Sequence, residues 1–594
     1  MTFKLSPILN ADSYKFLHIN LYPKGITEVY SNFTPRSVKH LNVPSKYKNN
    51  EIIWFGGQAV VQDMVDLWDD EFFSLPIKDG FGFGRDIDTK LKEFSRIIAP
   101  FAGADYKVEH LYDLHALGYL PLEIKTLPEG SHVPVGVPVL TVRNTKPEFF
   151  WLTNFIESYL SAELWKMSTS ATIASYYRKI IENWAEKTGG NKDFIDFQAH
   201  DFSYRGMSGS MDAVKSGSGH LTSFKGSDTV PAIPYLEYHY SGKDTFIGAS
   251  VPATEHSIQT AFVENDYEYI RYIIQDCVPK GIVSVVADGY DYWSVLTDVL
   301  PRLKDVIMNR EPDAMGFAKT VIRPDSGDPV EIICGNEFKD WSHYDDVETL
   351  QYSLAEYIEY QIAEETAHGE CGESTITNIL QHKGKYYQYT VEIDWNRYDK
   401  QYYYTDGSRL IDFDEVELTA EQKGSVQVLW DLFGGTTNDK GYKTLDQHIG
   451  LIYGDSITLE RAEEILRRLE AKGFASDNIV LGIGSYSYNY NTRDTLGFAM
   501  KSTNITQNGK DIPLFKNPKT DDGTKKSAKG LLSVIHHPTL GEDRVPTYVL
   551  YNDVSRENEK SGVLTTLFKD GDFKKHETLE EIRNRIKDNN EHSK

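Results

Sequence analysis

The chain has 594 residues, 40% hydrophobic and 25% charged, with a formal net charge of -25, which predicts an ordinary soluble protein of two or more domains. The acidic balance excludes a nucleic-acid backbone as main partner, because polyphosphate binding needs a basic surface; it leaves room for a local basic pocket holding a small phosphorylated substrate. Three scattered cysteines (Cys277, Cys334 and Cys371), no apolar run of membrane-spanning length and no signal-peptide core after Met1 lead to the expectation of a reducing, cytoplasmic setting without disulfides and without a membrane.

Along the chain, Asp12-Ser-Tyr-Lys15 predicts a helix start with Asp12 or Ser13 as cap. Val29-Tyr-Ser-Asn-Phe33 alternates as a strand does and is followed by Arg36. From Leu120 to Val142, short β-branched runs broken by Pro-Glu-Gly and Val-Gly-Val-Pro predict antiparallel strands joined by turns. Residues 149–188 predict helix, since aromatic and aliphatic residues recur at three- and four-residue intervals.

The texture then changes to short apolar runs, each ending abruptly in polar residues. Phe194-Ile-Asp-Phe runs into His200-Asp-Phe-Ser-Tyr-Arg205, and Ile282-Val-Ser-Val-Val-Ala runs into Asp288-Gly-Tyr-Asp291. Ala318-Lys-Thr-Val-Ile runs into Arg323-Pro-Asp-Ser-Gly327, Ile449-Gly-Leu-Ile-Tyr into Gly454-Asp455, and Ile479-Val-Leu into Gly482-Ile-Gly-Ser485. Helical patterns lie between several of them, as at Tyr292–Leu303 and Leu459–Lys472, the latter stopped by Gly473. Near-continuous apolar strands alternating with helices predict a covered parallel sheet. Charged residues and glycines gathered at the C-terminal strand ends are what a (β/α) barrel presents at its active face. Asp and Gly are also ordinary turn residues, but five such ends carrying His, Arg and Asp outweigh that reading.

Residues 335–424 break the rhythm and predict a subdomain inserted into the barrel. Val347–Ile362 is helix-like, Tyr386–Trp395 and Tyr402–Phe413 alternate as strands, and Asp406-Gly407 is a hairpin signal. Residues 500–594 return to strand and loop, with Lys516, Lys519, Lys525, Lys526 and Lys529 as a basic cluster and a short terminal helix after Glu577. The expected organisation is a β-rich α+β domain from 1–150 and 500–594, and a barrel over 151–499.

Gly248-Ala-Ser-Val-Pro-Ala-Thr-Glu-His-Ser257 puts His256 at the start of an amphipathic segment running to Ile274, where it can exchange a proton or a phosphoryl group. No His/Cys spacing supports a closed metal site, and no GxxxxGK[ST] loop is present. Arginine forks and glycine turns suit phosphate or pyrophosphate, and aspartates suit Mg²⁺ or ribose hydroxyls. The residues therefore predict an enzyme acting on a phosphorylated sugar or nucleotide.

His200-Asp-Phe-Ser-Tyr-Arg-Gly206, Phe224-Lys-Gly-Ser-Asp-Thr-Val230, Ser250-Val-Pro-Ala-Thr-Glu-His-Ser257, Arg323-Pro-Asp-Ser-Gly327, Gly454-Asp455 and Thr492-Arg-Asp494 resemble, in the same order, motifs of the nicotinate/nicotinamide phosphoribosyltransferase family, on its amide-specific side. The resemblance spans nearly the whole chain outside the insertion. It implies the irregular (β/α) barrel of the type II phosphoribosyltransferases with a second β-rich domain. It implies transfer of phosphoribose from 5-phosphoribosyl 1-pyrophosphate to nicotinamide, with Mg²⁺, with ATP coupled through a phosphohistidine, in a homodimer with shared active sites. By the same resemblance, Tyr14 of the other subunit and Phe202 clamp the pyridine ring and Asp228 accepts from the carboxamide. Arg205 and Arg323 meet the pyridine site and the phosphates, Ser284 is a further substrate-binding residue, Asp325 holds the ribose hydroxyls, and Gly454, Asp455, Gly484 and Ser485 line the 5-phosphate site. Arg36, Arg493 and Lys501 reach phosphates across the interface, and His256, oriented by Asp288, carries the phosphoryl group. Ser485 stands where the family has glycine, and Thr254 where it has a small apolar residue. The sister activity on nicotinate and a catalytically silent scaffold are the alternatives; intact charges at the strand ends oppose the latter.

Overall fold

The computed structural model describes residues 5–77, 86–103, 106–241, 245–351, 353–354, 375–392, 394–396, 401–403, 412–454, 456–516, 527–537 and 547–592. Two compact units divide the chain: one takes residues 1–251, 452–466 and 475–594, the other 252–451 and 467–474.

The first unit carries a seven-stranded antiparallel sheet in the order Lys510–Pro513, Ala499–Gln507, Ile26–Thr34, Leu140–Asn144, Leu122–Thr126, Thr565–Lys569, Asp572–Phe573. The strands expected around Val29 and over Leu120–Val142 are the middle of this sheet. Beside it runs the helix Glu157–Thr188, closed by Gly189 in the left-handed region at φ 71°. The helix Ser210–His220 packs against it through Gly219, where a Cβ would meet Met167 O and Ala171 N at 2.8 Å. The same unit holds short parallel strands: Gly226–Ser227 pairs with Ala199–Asp201, which pairs with Val480–Ile483, which pairs with Ile452 and Tyr453. In the second unit, Val283–Val286 pairs in parallel with Thr320–Arg323, whose other edge takes Ile449–Leu451. All four residues of Val283–Val286 are buried, as expected of a parallel strand covered on both faces.

Two expectations are corrected. Phe194-Ile-Asp-Phe is not strand but a 3-10 turn leading into the helical turn Ile195–Gln198, and the strand is Ala199–Asp201. Asn191 caps the turn by accepting from Asp193 N–H, and Asp196 is held by Arg178 at 2.6 Å and Lys225 at 2.8 Å. The cap sets the turn just before the run, and the two cations hold Asp196, the polar residue within it. The segment after His256 is not one helix: His256–Thr260 ends, and Asp266–Tyr272 begins anew. Val263 and Glu264 take positive φ, and Asn265 caps the second helix by accepting from Glu268 N–H.

Between residues 335 and 424, Thr375–His382, Lys385–Glu392 and Asp412–Val416 form a three-stranded antiparallel sheet. It has its own apolar cluster of Trp341, Leu350, Leu354, Leu380, Tyr387 and Tyr389. The described part of the expected Val347–Ile362 helix is helical, and Asp406-Gly407 lies outside the described residues. The C-terminal helix is Leu579–His592. No helix among the described residues is long and apolar enough to cross a membrane.

Candidate active site

In the first unit, the strand Ala199–Asp201 delivers His200, Asp201 and Phe202 to one place. Asp228 sits just past the neighbouring strand, and its Oδ1 accepts from His200 Nε2 at 2.9 Å and from Ser250 Oγ at 2.5 Å. The His200 ring lies 4.6 Å from the Phe202 ring, so the ring platform and the acid adjoin the same imidazole. Behind them Asp201, fully buried, accepts from Ser203 N–H and Oγ at 2.9 and 2.7 Å and from Ser227 Oγ at 3.2 Å. One carboxylate thereby ties the turn bearing Phe202 and Arg205 to the segment bearing Asp228. Arg205 is exposed, three residues after Phe202.

The turn after Val480–Ile483 carries Gly484 and Ser485. Gly482 has no Cβ because the carbonyls of Tyr453 and Gly454 occupy that space, which brings Gly454 against the next strand end. Ser485 is accommodated from the other side: a Cβ on Gly206 would fall inside van der Waals contact of Ser485 Oγ and Cβ. Gly206→Ala is therefore expected to cost about 1–3 kcal/mol through overpacking. Ser485→Gly should recover most of it; equal denaturation midpoints for Gly206→Ala with and without Ser485→Gly would contradict this packing. Asp455 lies outside the described residues.

The expected interface cations also gather in this unit. Burial lowers the Lys501 ammonium pKa, and nearby Arg36, Lys516 and Arg493 lower it further, against Glu157 which raises it. Arg493 also acts on Tyr14, whose phenol burial, Asp12 and Glu157 push up. Arg36 Nε is held by Gly497 O at 2.8 Å. Crowded cations of this kind are set to receive an anion. Lys516 is the member of the predicted lysine cluster that joins them, Lys529 pairs with Asp553, and Lys519, Lys525 and Lys526 lie outside the described residues.

In the second unit, His256 Nε2 lies 3.0 Å from Asp288 Oδ1, with His256 half exposed and Asp288 buried. Asp288 Oδ2 accepts from Asp325 N–H at 3.0 Å and Ser326 Oγ at 2.5 Å. The expected orienting acid thus also fixes the turn after Thr320–Arg323. Arg323 donates through Nη2 to Thr254 O at 3.0 Å. Thr254 Oγ1 accepts from Val286 N–H, contacts the Tyr269 hydroxyl, and that hydroxyl bonds Val286 O at 3.1 Å. The threonine is therefore a buried brace for the backbone that anchors Arg323. Ser284 Oγ is buried without a hydrogen-bond partner among the described residues, a group that a bound ligand can satisfy.

Sequence reasoning missed Asp201, Ser203, Ser227 and Ser250 as supports of Phe202 and Asp228. Asp201-Phe-Ser203 carried a local signal, since Asp often bonds the backbone two residues on. The bonds from Asp201 to Ser227 and from Ser250 to Asp228 span 26 and 22 residues and carry none.

Among the described residues, no group of three His, Cys, Asp or Glu side chains is placed to cage a metal. A Mg²⁺ ion fits here only if substrate oxygens supply most of its ligands, with one or two carboxylates such as Asp325 completing the set, as is usual for Mg²⁺ on phosphates.

The crystal structure of human nicotinic acid phosphoribosyltransferase is similar over 98% of this chain and 93% of that one, with TM-score 0.51 and 14% identity, a likeness of fold. The fold class is α/β, that of the type II phosphoribosyltransferases, with additional strand-rich sheets. Residues 197–363 and 412–572 match the nicotinate phosphoribosyltransferase (NAPRTase) family, and the chain belongs to that family. A relative named nicotinamide phosphoribosyltransferase from Acinetobacter baylyi is 43% identical over 589 residues, 99% of this chain and 98% of the relative. Another of that name from Mycoplasma pneumoniae is 27% identical over 540 residues, 89% of this chain and 95% of the relative.

Proposed function

We propose that the chain transfers the 5-phosphoribosyl group from 5-phosphoribosyl 1-pyrophosphate to nicotinamide, giving nicotinamide mononucleotide and pyrophosphate. The observation that carries this reading is the acid at position 228, braced by His200 and Ser250 beside the Phe202 ring. A carboxylate there accepts from an amide NH₂ and repels the carboxylate of nicotinate. The relatives' shared name supports the same acceptor.

In this reading Phe202 stacks on the pyridine ring and orients its nitrogen, a modest nucleophile, toward the ribose C1. Arg323 meets the negative charge that develops on the departing pyrophosphate, and Asp325 holds the ribose hydroxyls. Gly454, Gly484 and Ser485 line the 5-phosphate, with Asp455 by resemblance. Asp325 would help hold a Mg²⁺ ion brought with the donor, and the ion would supply further charge neutralisation of the leaving group. Tyr14, Arg36, Arg493 and Lys501 complete a second copy's site in a homodimer. The reaction is tested by incubating the purified full chain with Mg²⁺, nicotinamide and 5-phosphoribosyl 1-pyrophosphate and identifying the product by mass. Nicotinamide mononucleotide is expected; faster turnover of nicotinate would transfer the assignment to the sister activity.

ATP stimulation through His256 belongs to the same proposal. With Nε2 directed at Asp288, Nδ1 is the nitrogen that attacks the γ-phosphorus of ATP. The N–P bond forms as the bond to ADP breaks, and the proton stays on Nε2, held by Asp288. His256→Ala is expected to retain ATP-independent transfer but to lose acceleration by ATP, read by comparing rates with and without ATP. An undiminished ATP effect would remove this role.

A further inference from the structure

The four-residue helix Ser485–Tyr488 is tied to both segments that carry the pyridine-side residues. Tyr488 Oη lies 2.7 Å from Nδ1 of His220, and Nε2 of the same ring lies 3.1 Å from Gly226 O. A carbonyl only accepts, so Nε2 carries the proton and Nδ1 accepts from the tyrosine hydroxyl. Burial pushes His220 down to about 4, which keeps the ring in the neutral form this one-way chain needs. The Phe224 ring stacks on His220 at 5.1 Å and fixes its plane. Gly226 is two residues before Asp228.

The second tie starts one residue further on. Asn489 donates through Nδ2 to Gly206 O at 2.8 Å and accepts through Oδ1 from Ser208 Oγ at 2.9 Å. Gly206 follows Arg205 directly. The helix is also pinned from behind, since Lys166 Nζ donates to Tyr488 O at 2.7 Å and the Tyr177 hydroxyl bonds Ser487 Oγ at 2.6 Å. The helix therefore cannot shift without moving Gly206, Gly226 or both.

We infer that Tyr488, His220 and Asn489 are positioning residues that hold the Gly484–Ser485 turn in register with the segments bearing Phe202, Arg205 and Asp228, so that donor phosphate and acceptor ring are presented as an aligned pair. This rests on the roles proposed above for those turns. A misaligned pair still binds each substrate but reaches the reactive geometry less often. The effect therefore belongs in kcat rather than in either KM.

The test uses full-length Tyr488→Phe, which removes only the hydroxyl, and Asn489→Asp, which keeps the acceptor toward Ser208 and sets an oxygen against Gly206 O. Both are assayed for nicotinamide mononucleotide formation alongside thermal melting, with kcat expressed per folded molecule. Each single variant is expected to lower kcat about 10-fold, with each KM within about 3-fold of the parent. Tyr488→Phe keeps the ring's packing but leaves His220 Nδ1 without its donor, so it is expected to melt only a few degrees below the parent. Variants that lower the melting temperature yet keep the parental kcat would reduce these residues to structural ones and overturn the inference, as would unchanged kinetics. A parent chain that makes no nicotinamide mononucleotide would sink the proposed function, and this inference with it; that result is read in the same assay before any variant.

Discussion

Asp228→Asn is expected to lower kcat/KM for nicotinamide by about 10- to 100-fold and to raise that for nicotinate, so that selectivity collapses or reverses. His200 Nε2 and Ser250 Oγ both direct hydrogens at Oδ1. An asparagine keeps its carbonyl oxygen there and puts its NH₂ where Oδ2 was. A donor then meets the donor NH₂ of nicotinamide, whereas the carboxylate of nicotinate meets a matching donor. Hydrogen bonds to charged groups contribute about 1.5–3 kcal/mol, which sets the scale of the loss. Competition between nicotinamide and nicotinate, with the two mononucleotide products quantified by mass in one reaction, checks the prediction; unchanged selectivity would take the carboxamide away from this residue.

Arg323→Lys is expected to lower kcat/KM for 5-phosphoribosyl 1-pyrophosphate by about 100- to 1000-fold, the range seen when one preorganised donor is removed from developing negative charge. The guanidinium can give Nη2 to Thr254 O and still present other N–H groups to phosphate oxygens in a planar fork. A lysine ammonium has one nitrogen to serve both, and its flexible stem gives up the fixed angle. Because the Thr254–Tyr269–Val286 brace stays intact, folding should be little affected. Pyrophosphate-release kinetics at varied donor concentration measure the change, and a loss of less than about 10-fold would show that Arg323 does not face the leaving group.

Much of the barrel-type part was legible because buried parallel strands need apolar residues on both faces. Val283–Val286, Thr320–Arg323, Ile449–Tyr453 and Val480–Ile483 each stand out as such runs ending in a polar turn. Phe194-Ile-Asp-Phe misled for the same reason. It is apolar enough for a strand, but the asparagine before it caps a turn and its aspartate serves two distant cations. The break after His256 was hidden because Val263 and Glu264 adopt positive φ without the glycine that ordinarily signals it. The pairing of His256 with Asp288 was expected only from the family resemblance, and the two side chains lie 3.0 Å apart. The braces around Asp228 and the ties through Tyr488 were not, since partners 22 and 268 residues apart leave no periodic trace. Ser485 shows the limit of reading one position at a time: its side chain fits because Gly206 faces it.

The account stands on how the pyridine ring is held, and a crystal structure of the full chain with nicotinamide and pyrophosphate bound measures that directly. The ring should lie against Phe202, with the carboxamide nitrogen within hydrogen-bond distance of Asp228 and Tyr14 of a second copy on the opposite face. A ring bound away from Phe202, or a carboxamide turned from Asp228, would contradict it.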